Sequence, residues 1–276
     1  MLTKVDNRRM CPNCRAFITS GDRVCPYCDQ PVGARAIDVR DPAPILGLIP
    51  AARFTTVLIL LINAGFYIAT MWLSSNMGGD NMALWALGAK FGPSMWGDHQ
   101  WWRLVTAGFL HGGLLHIAMN SWVLYDVGAQ VEQLYGTSRF LVIYFLGTVA
   151  GFFFSVYMNP TLSIGASAGI TGLIGAMIAF GMVNRSSVGR AIRNFYVRWV
   201  VYILAIGFIG GFGTDNWAHI GGLAGGFVVG YVAGTPVHSS REREAMWRVL
   251  AAACILITVF CFWEVYTHFP APDQLR

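Results

Sequence analysis

An all-α protein threaded several times through a membrane is the fold class this sequence predicts, and three observations carry it. Only 12% of its 276 residues are charged and 55% are hydrophobic, about half the charge of an ordinary soluble domain. Apolar segments of spanning length recur seven times, at about 53–73, 113–133, 138–158, 167–184, 196–212, 217–235 and 246–266, where a crossing takes roughly 20 residues. Arginine and lysine gather on alternate connections, the asymmetry that orients membrane proteins. That asymmetry also accounts for the net charge of +5, so no nucleic-acid partner is expected.

The chain opens with a polar, cysteine-bearing stretch, residues 1–33. No apolar run precedes it, so no signal peptide is expected and the segment stays in the reducing cytosol. Cys11-Pro12-Asn13-Cys14 and Cys25-Pro26-Tyr27-Cys28 are separated by ten residues. Two such pairs supply four thiolates in a tetrahedron, the arrangement preferred by structural zinc. A redox pair or an iron site is not excluded by the spacing. The segment resembles a short zinc ribbon. It is too small for an apolar core, so zinc bound by Cys11, Cys14, Cys25 and Cys28 would supply its folding energy. With no open ligand position the metal is structural, and the ribbon is expected to bind a cytosolic protein partner or regulate the rest.

Residues 34–52 hold Pro42, Pro44 and Pro50 and read as a linker. After the first apolar segment, residues 74–112 are partly apolar and tryptophan-rich (Trp85, Trp96, Trp101, Trp102). Tryptophan prefers the headgroup boundary, so an interfacial loop with short helices is expected. With the N-terminus inside, Arg35, Arg40, Arg53, Arg139, Arg185, Arg190, Arg193, Arg198, Arg241, Arg243 and Arg248 face the cytosol, and only Lys90, Arg103 and Arg276 lie outside. The expected topology is therefore N-in and C-out, with a prokaryotic plasma membrane as the location.

Two polar side chains stand out inside apolar helices: Ser167, in Gly165-Ala166-Ser167-Ala168-Gly169, and His219, in Trp217-Ala218-His219-Ile220-Gly221-Gly222. Polar and ionisable groups at membrane depth are costly and mark function. A serine hydroxyl is a poor nucleophile until a base takes its proton, and an imidazole titrates near neutrality. Neutral histidine is also the cheaper form in a dry site. Both residues fall near the outer ends of their helices. The fourth helix begins at about Ser167, where unpaired amides can face an oxyanion. Gly222, Gly226 and Gly230 recur every fourth residue, and Gly165, Gly169, Gly172 and Gly175 line the fourth helix. Small residues let helices approach closely, and packing of these faces would bring serine and histidine together. Generic helix packing, with a serine present by chance, remains open from these motifs alone.

A third cluster narrows the choice. His116 and Asn120 are four apart in His111-Gly112-Gly113-Leu114-Leu115-His116-Ile117-Ala118-Met119-Asn120 and share a helical face. Both residue types can donate to an oxyanion. His111 reads as a structural, loop-holding group. Asp215 lies near His219 in sequence and suggests a triad, but it belongs to the outer loop.

With these residues the chain resembles the rhomboid family of intramembrane serine proteases. The matching set is Trp102-Arg103, His111 with His116 and Asn120, Glu132 with Gly136, the Gly165–Gly169 run, and Ala218-His219 with Gly222 and the fourfold glycines. The resemblance covers about residues 53–235 and implies a six-helix bundle, with a seventh helix added at the C-terminus. It implies that Ser167 is nucleophile and His219 general base, with Asn120, His116 and the Ser167 amide lining the oxyanion hole. It places Trp102-Arg103 in an outer-loop motif and Glu132 in a structural contact at the cytosolic end of the second helix. The substrates would be transmembrane segments of other membrane proteins, and catalysis would need no cofactor. The chain departs from the common pattern at Ala168, often glycine, and at Thr171, often an aromatic that packs on the histidine. The domains expected are a ribbon at 1–33, a linker at 34–52, a catalytic core at 53–235, and a loop, seventh helix and outer tail at 236–276. A catalytically silent scaffold that binds membrane segments is the alternative function. A transporter is disfavoured because no paired interrupted helices divide the chain into matching halves.

Overall fold

A computed structural model describes residues 8–11, 13–19, 22–32, 53–76, 78–209, 213–236 and 239–270. The expected linker at 34–52 and the final residues 271–276 lie outside the described residues, as do Arg35, Arg40 and Arg276 of the orientation argument.

The N-terminal segment forms a two-stranded antiparallel sheet, β1 (Arg8–Met10) with β2 (Phe17–Thr19). Among the described residues its apolar interior is Ile18 and Val32 around Cys11 and Cys25, with Cys28 packed against them, too little burial to hold a fold by itself.

From Phe54 onward the chain is helical. α1 (Phe54–Ser74) is followed by three short helices, α2 (Asp80–Ala86), α3 (Gly92–Gly97) and α4 (Arg103–Thr106), and a 3₁₀ turn at Ala107–Phe109. These short helices fill the tryptophan-rich connection, as expected. Arg103 is buried there: Nη1 donates to the carbonyls of Trp85 at 2.7 Å and Ala89 at 2.9 Å. Its guanidinium lies 4.6 Å from the Trp102 ring centroid and 5.2 Å from that of Trp85. Burial lowers the Arg103 pKa to about 10, against the pull of Asp98.

α5 (Leu114–Val123) continues through a π turn at Leu124–Gly128 into α6 (Ala129–Tyr135). α7 (Thr137–Met158), α8 (Ser167–Val183), α9 (Ser187–Ile209), α10 (Asn216–Ala233) and α11 (Arg241–Thr267) complete the bundle. Each of the seven expected crossings is helical over most of its described residues. α9 begins nine residues before the expected 196 and α11 five before the expected 246. Both extensions carry arginine, which an apolar-run reading excludes. A helix need not stop where its apolar face stops, because long basic side chains reach water from beyond the bilayer edge.

α1, α7, α9 and α11 are long and apolar enough to cross a membrane by length and composition alone; α8 is a shorter apolar helix. α10 and the interrupted α5–α6 do not meet that measure. α10 instead packs against α7 and α8. α10 buries His219 and its glycines against them and leaves Val228, Tyr231 and Val232 exposed, so only its outer face has to be apolar.

Backbone contact holds these three together. A Cβ at Gly226 would sit 2.0 Å from the Gly172 carbonyl oxygen, and one at Gly222 would sit 2.2 Å from that of Ala168. Gly221 and Gly225 turn the other way, toward Ala150 of α7. The α10 glycine face therefore meets Ala168, Gly172 and Ala176 of α8, while Gly169 of α8 faces Tyr144 and Thr148 of α7 and Gly165 faces His116.

At the other end of the bundle, the Glu132 carboxylate accepts from the backbone amides of Thr55 at 3.3 Å and Thr56 at 3.2 Å. It also accepts from the hydroxyls of Thr56 at 3.0 Å and Thr137 at 3.1 Å. It thus caps α1 without any capping side chain from α1 itself. Hydrogen bonds to a charged group contribute about 1.5–3 kcal/mol each. Arg139, nearly fully buried, joins α7 to α11 through Glu244 at 2.6 Å and Ser239 at 3.1 Å.

Candidate active site

Ser167 is the first residue of α8, and His219 sits in the first turn of α10. Because α8 and α10 run in the same direction with glycine contacts along their length, their N-terminal ends lie side by side. His219 Nε2 is 2.9 Å from Ser167 Oγ across 52 residues of sequence. This is hydrogen-bond distance, suited to proton transfer from hydroxyl to imidazole. Nδ1 of the same ring is buried and has no protein partner.

Gly165 makes the approach to Ser167 possible. Its φ of +125° is one that L side chains rarely adopt. A Cβ there would lie 2.8 Å from His116 Nε2 and 3.6 Å from Ser167 Oγ. The missing side chain leaves His116 and Ser167 on two sides of one small space. Ala166 precedes the helix without capping it, and the first intrahelical bond runs from Ile170 N to Ala166 O at 3.0 Å. The amides of Ser167, Ala168 and Gly169 come before that bond and form the positive end of α8.

Asn120 is buried on α5, one turn beyond His116, and its Nδ2 donates to the His116 carbonyl at 3.0 Å. His111 is fully buried, with its ring 5.1 Å from that of His116. Neither ring nitrogen of His111 has a hydrogen-bond partner. It packs on its neighbour, in keeping with a structural role.

The Asp215 carboxylate turns away from the imidazole. Oδ1 accepts from the Ala218 amide at 3.1 Å, and Oδ2 accepts from the Ser155 hydroxyl. A serine–histidine pair is present without a carboxylate on Nδ1.

Both departures have local accounts. The Ala168 methyl is fully buried at Gly151 of α7, where a second Cβ would come within 2.8 Å. Glycine on the facing helix makes room for the methyl. Thr171 donates its hydroxyl to the Ala168 carbonyl at 2.9 Å, one turn below Ser167. Among the described residues no aromatic ring pairs with His219, so nothing replaces the missing aromatic.

The four N-terminal cysteines converge separately, their sulfurs all within 4.8 Å of one another. Cys11 and Cys28 are 3.8 Å apart, and Cys14 and Cys25 are 3.6 Å apart. A tetrahedron with Zn–S bonds of about 2.3 Å has sulfur–sulfur edges of about 3.8 Å. The two halves repeat one backbone turn. Arg15 N donates to Cys11 O and Asp29 N to Cys25 O, both at 2.9 Å, and Arg15 and Asp29 have φ of 60° and 50°. The sulfurs fit a tetrahedral metal ion. Cys254 and Cys261 lie apart from them, free and buried among apolar side chains.

Lys90 and Ser155, both fully buried beside Asp215, were not singled out from the sequence. Lys90 sits in a connection and Ser155 inside an apolar helix, and no local pattern joins them.

Comparison with known proteins supplies the family context. A family model described as Rhomboid domain matches residues 98–236. The chain is 35% identical to rhomboid protease GluP of Bacillus subtilis (strain 168) over 206 residues, which are 73% of this chain and 39% of that protein. It is 34% identical to rhomboid-like protease 3 of Toxoplasma gondii over 163 residues, 58% of this chain and 62% of that one. A putative rhomboid protease, YdcA of B. subtilis (strain 168), is 25% identical over 169 residues and is covered to 83% of its length. The first two matches thus span less than two thirds of those relatives.

Proposed function

This chain belongs to the rhomboid family, and from that premise we propose that it is an intramembrane serine endopeptidase acting through Ser167 and His219. The observation that carries the reading is the 2.9 Å contact between Ser167 Oγ and His219 Nε2. The names of the relatives support protease chemistry. The same contact favours an enzyme over a silent scaffold, since a membrane-binding surface has no need of a paired nucleophile and base.

In the proposed reaction, Ser167 Oγ attacks a peptide carbonyl while His219 Nε2 takes the hydroxyl proton. The α8 amides, Asn120 and His116 stabilise the oxyanion. His219 then protonates the departing amide nitrogen, and the C–N bond breaks to leave an ester on Ser167. Water, deprotonated by His219, hydrolyses that ester and restores the hydroxyl. Carbonyls inside an intact membrane helix are hydrogen-bonded and shielded. The substrates are therefore transmembrane segments with helix-breaking or small residues near one end. Water reaches the pair from the outer face.

The chain is an integral membrane protein. Its N-terminus is assigned to the cytosol and its C-terminus to the outside of a prokaryotic plasma membrane. The ribbon (1–33), linker (34–52), catalytic core (53–235) and C-terminal helix with its tail (236–276) are the proposed domains. Cys11, Cys14, Cys25 and Cys28 hold zinc as a structural ion, and the ribbon presents a cytosolic binding surface.

The test is co-expression with a library of single-span membrane proteins, comparing the native chain with Ser167→Ala. Cleavage products present only with the native chain are expected. Equal cleavage by Ser167→Ala would refute the assignment.

A further inference from the structure

Behind the Ser167–His219 contact lies a buried ion pair that the proposed chemistry does not use. Lys90, between α2 and α3, is fully buried. Its Nζ donates to the carbonyls of Asn159 at 2.6 Å and Thr161 at 2.9 Å, and lies 3.6 Å from Asp215 Oδ2. That carboxylate also takes the Ser155 hydroxyl from α7 and caps α10 through Ala218 N. The Lys90 backbone joins the same segment, with Lys90 N to Ser163 O at 3.0 Å and Ser163 N to Lys90 O at 2.9 Å.

The chain segments tied here are those that deliver the reacting groups. Residues 159–163 run directly into Gly165 and Ser167. Asp215 opens the helix that carries His219, and its carbonyl accepts the His219 amide at 3.1 Å. Capping alone does not call for a charge, because asparagine caps a helix about as well as aspartate. Nor does apolar packing, since taking two ions out of water is costly before pairing returns it. Burial lowers the Lys90 pKa, and Asp215 opposes that. Burial would raise the Asp215 pKa, but the hydroxyls of Ser155 and Ser163 and the Lys90 ammonium hold it below the ordinary carboxylate value. What the pair adds to a cap is a fixed link from α10 to the segment before α8.

We infer that Lys90 and Asp215 are positioning residues, whose ion pair clamps the approach to Ser167 onto the start of the His219 helix and so holds nucleophile and base at reacting distance. The inference rests on the protease reading above. A displacement of about 1 Å at such a contact can cost on the order of a hundredfold in rate.

The experiment is labelling of the purified full chain in detergent by a fluorophosphonate, resolved into a saturating rate and a half-saturating concentration. Thermal unfolding is followed in parallel. Lys90→Met is expected to lower the saturating rate by on the order of a hundredfold, with the half-saturating concentration within about twofold. Adding Asp215→Asn to Lys90→Met is expected to recover thermal stability but not the saturating rate, because the lone carboxylate is removed and the cap kept while the link to the segment before Ser167 stays broken. If Lys90→Met does not fold, Asp215→Asn alone decides. It should unfold at a somewhat lower temperature, because the Lys90 ammonium loses its carboxylate, and when folded label about tenfold more slowly at saturation. Native-rate labelling by the folded variants would overturn the inference, as would a change confined to the half-saturating concentration. A double variant that labels at the native saturating rate would overturn it too. Absence of Ser167 labelling in the native chain is a different failure: it removes the protease reading itself, and the inference falls with it.

Discussion

α9 and α10 are neighbours in sequence and opposite in construction. α9 is long and apolar enough to cross a membrane, and only 6% of its apolar window is buried inside the protein. α10 misses that measure and carries Asn216, His219 and five glycines. Yet α10 makes backbone-to-backbone contacts on two sides, with α7 and with α8. Lipid sets the composition of the first, and neighbouring helices set that of the second. The contrast teaches where chemistry can reside in a membrane bundle. Only a helix shielded by protein can hold a histidine and an uncovered turn of amides without exposing them to hydrocarbon.

The strongest way to break this contrast is at its closest approach. Gly226→Leu would drive a side chain into the Gly172 backbone, which cannot yield as a flexible side chain would. It should destabilise the core by on the order of 3 kcal/mol or more and abolish Ser167 labelling. Native-like thermal unfolding of this variant would show that the glycine contact is not needed. Less severe is Asn120→Ala, which should leave the fold intact and lower turnover by about a hundredfold if the amide serves an oxyanion. A turnover within twofold of native would restrict Asn120 to its bond with the His116 carbonyl.

The ribbon offers a sharper contrast still, because it lacks any such packing. Structural zinc in small domains supplies roughly 10–16 kcal/mol of apparent folding free energy. A strong chelator should therefore unfold residues 1–33, seen as new proteolysis there, and release one zinc per chain by metal analysis. The membrane core should label at an unchanged rate. Loss of core labelling on chelation would mean that the ribbon controls the active site. The smallest effect belongs to the lipid face of α9. Val201, well exposed there, should tolerate Val201→Leu within about 0.5 kcal/mol by thermal unfolding.

Much of the site was legible because each part has its own local signal. Ser167 and His219 are polar groups in apolar runs, His116 and Asn120 share a helix face, and the cysteines keep ligand spacing. The sulfur distances fit the spacing argument. Glu132 was legible as a structural contact but not its partners, because Thr55 and Thr56 lie 77 and 76 residues away. The starts of α9 and α11 were misread for a simple reason. Hydropathy reports where a membrane ends, and hydrogen bonding decides where a helix ends. His111 was legible as a structural group, and its buried ring packs against that of His116.

By itself, the sequence determined that this chain crosses a membrane, which side chains are out of place there, and which glycines can be approached. Those are properties of composition and period, carried by each helix separately. Tertiary structure alone decided that Asp215 turns to Ser155 and Lys90 instead of to the imidazole, that Gly151 accommodates Ala168, and that among the described residues no ring pairs with His219. Each of these depends on which surfaces meet across tens of residues. Such a meeting is settled by the packing of the whole bundle and leaves no mark within any one segment.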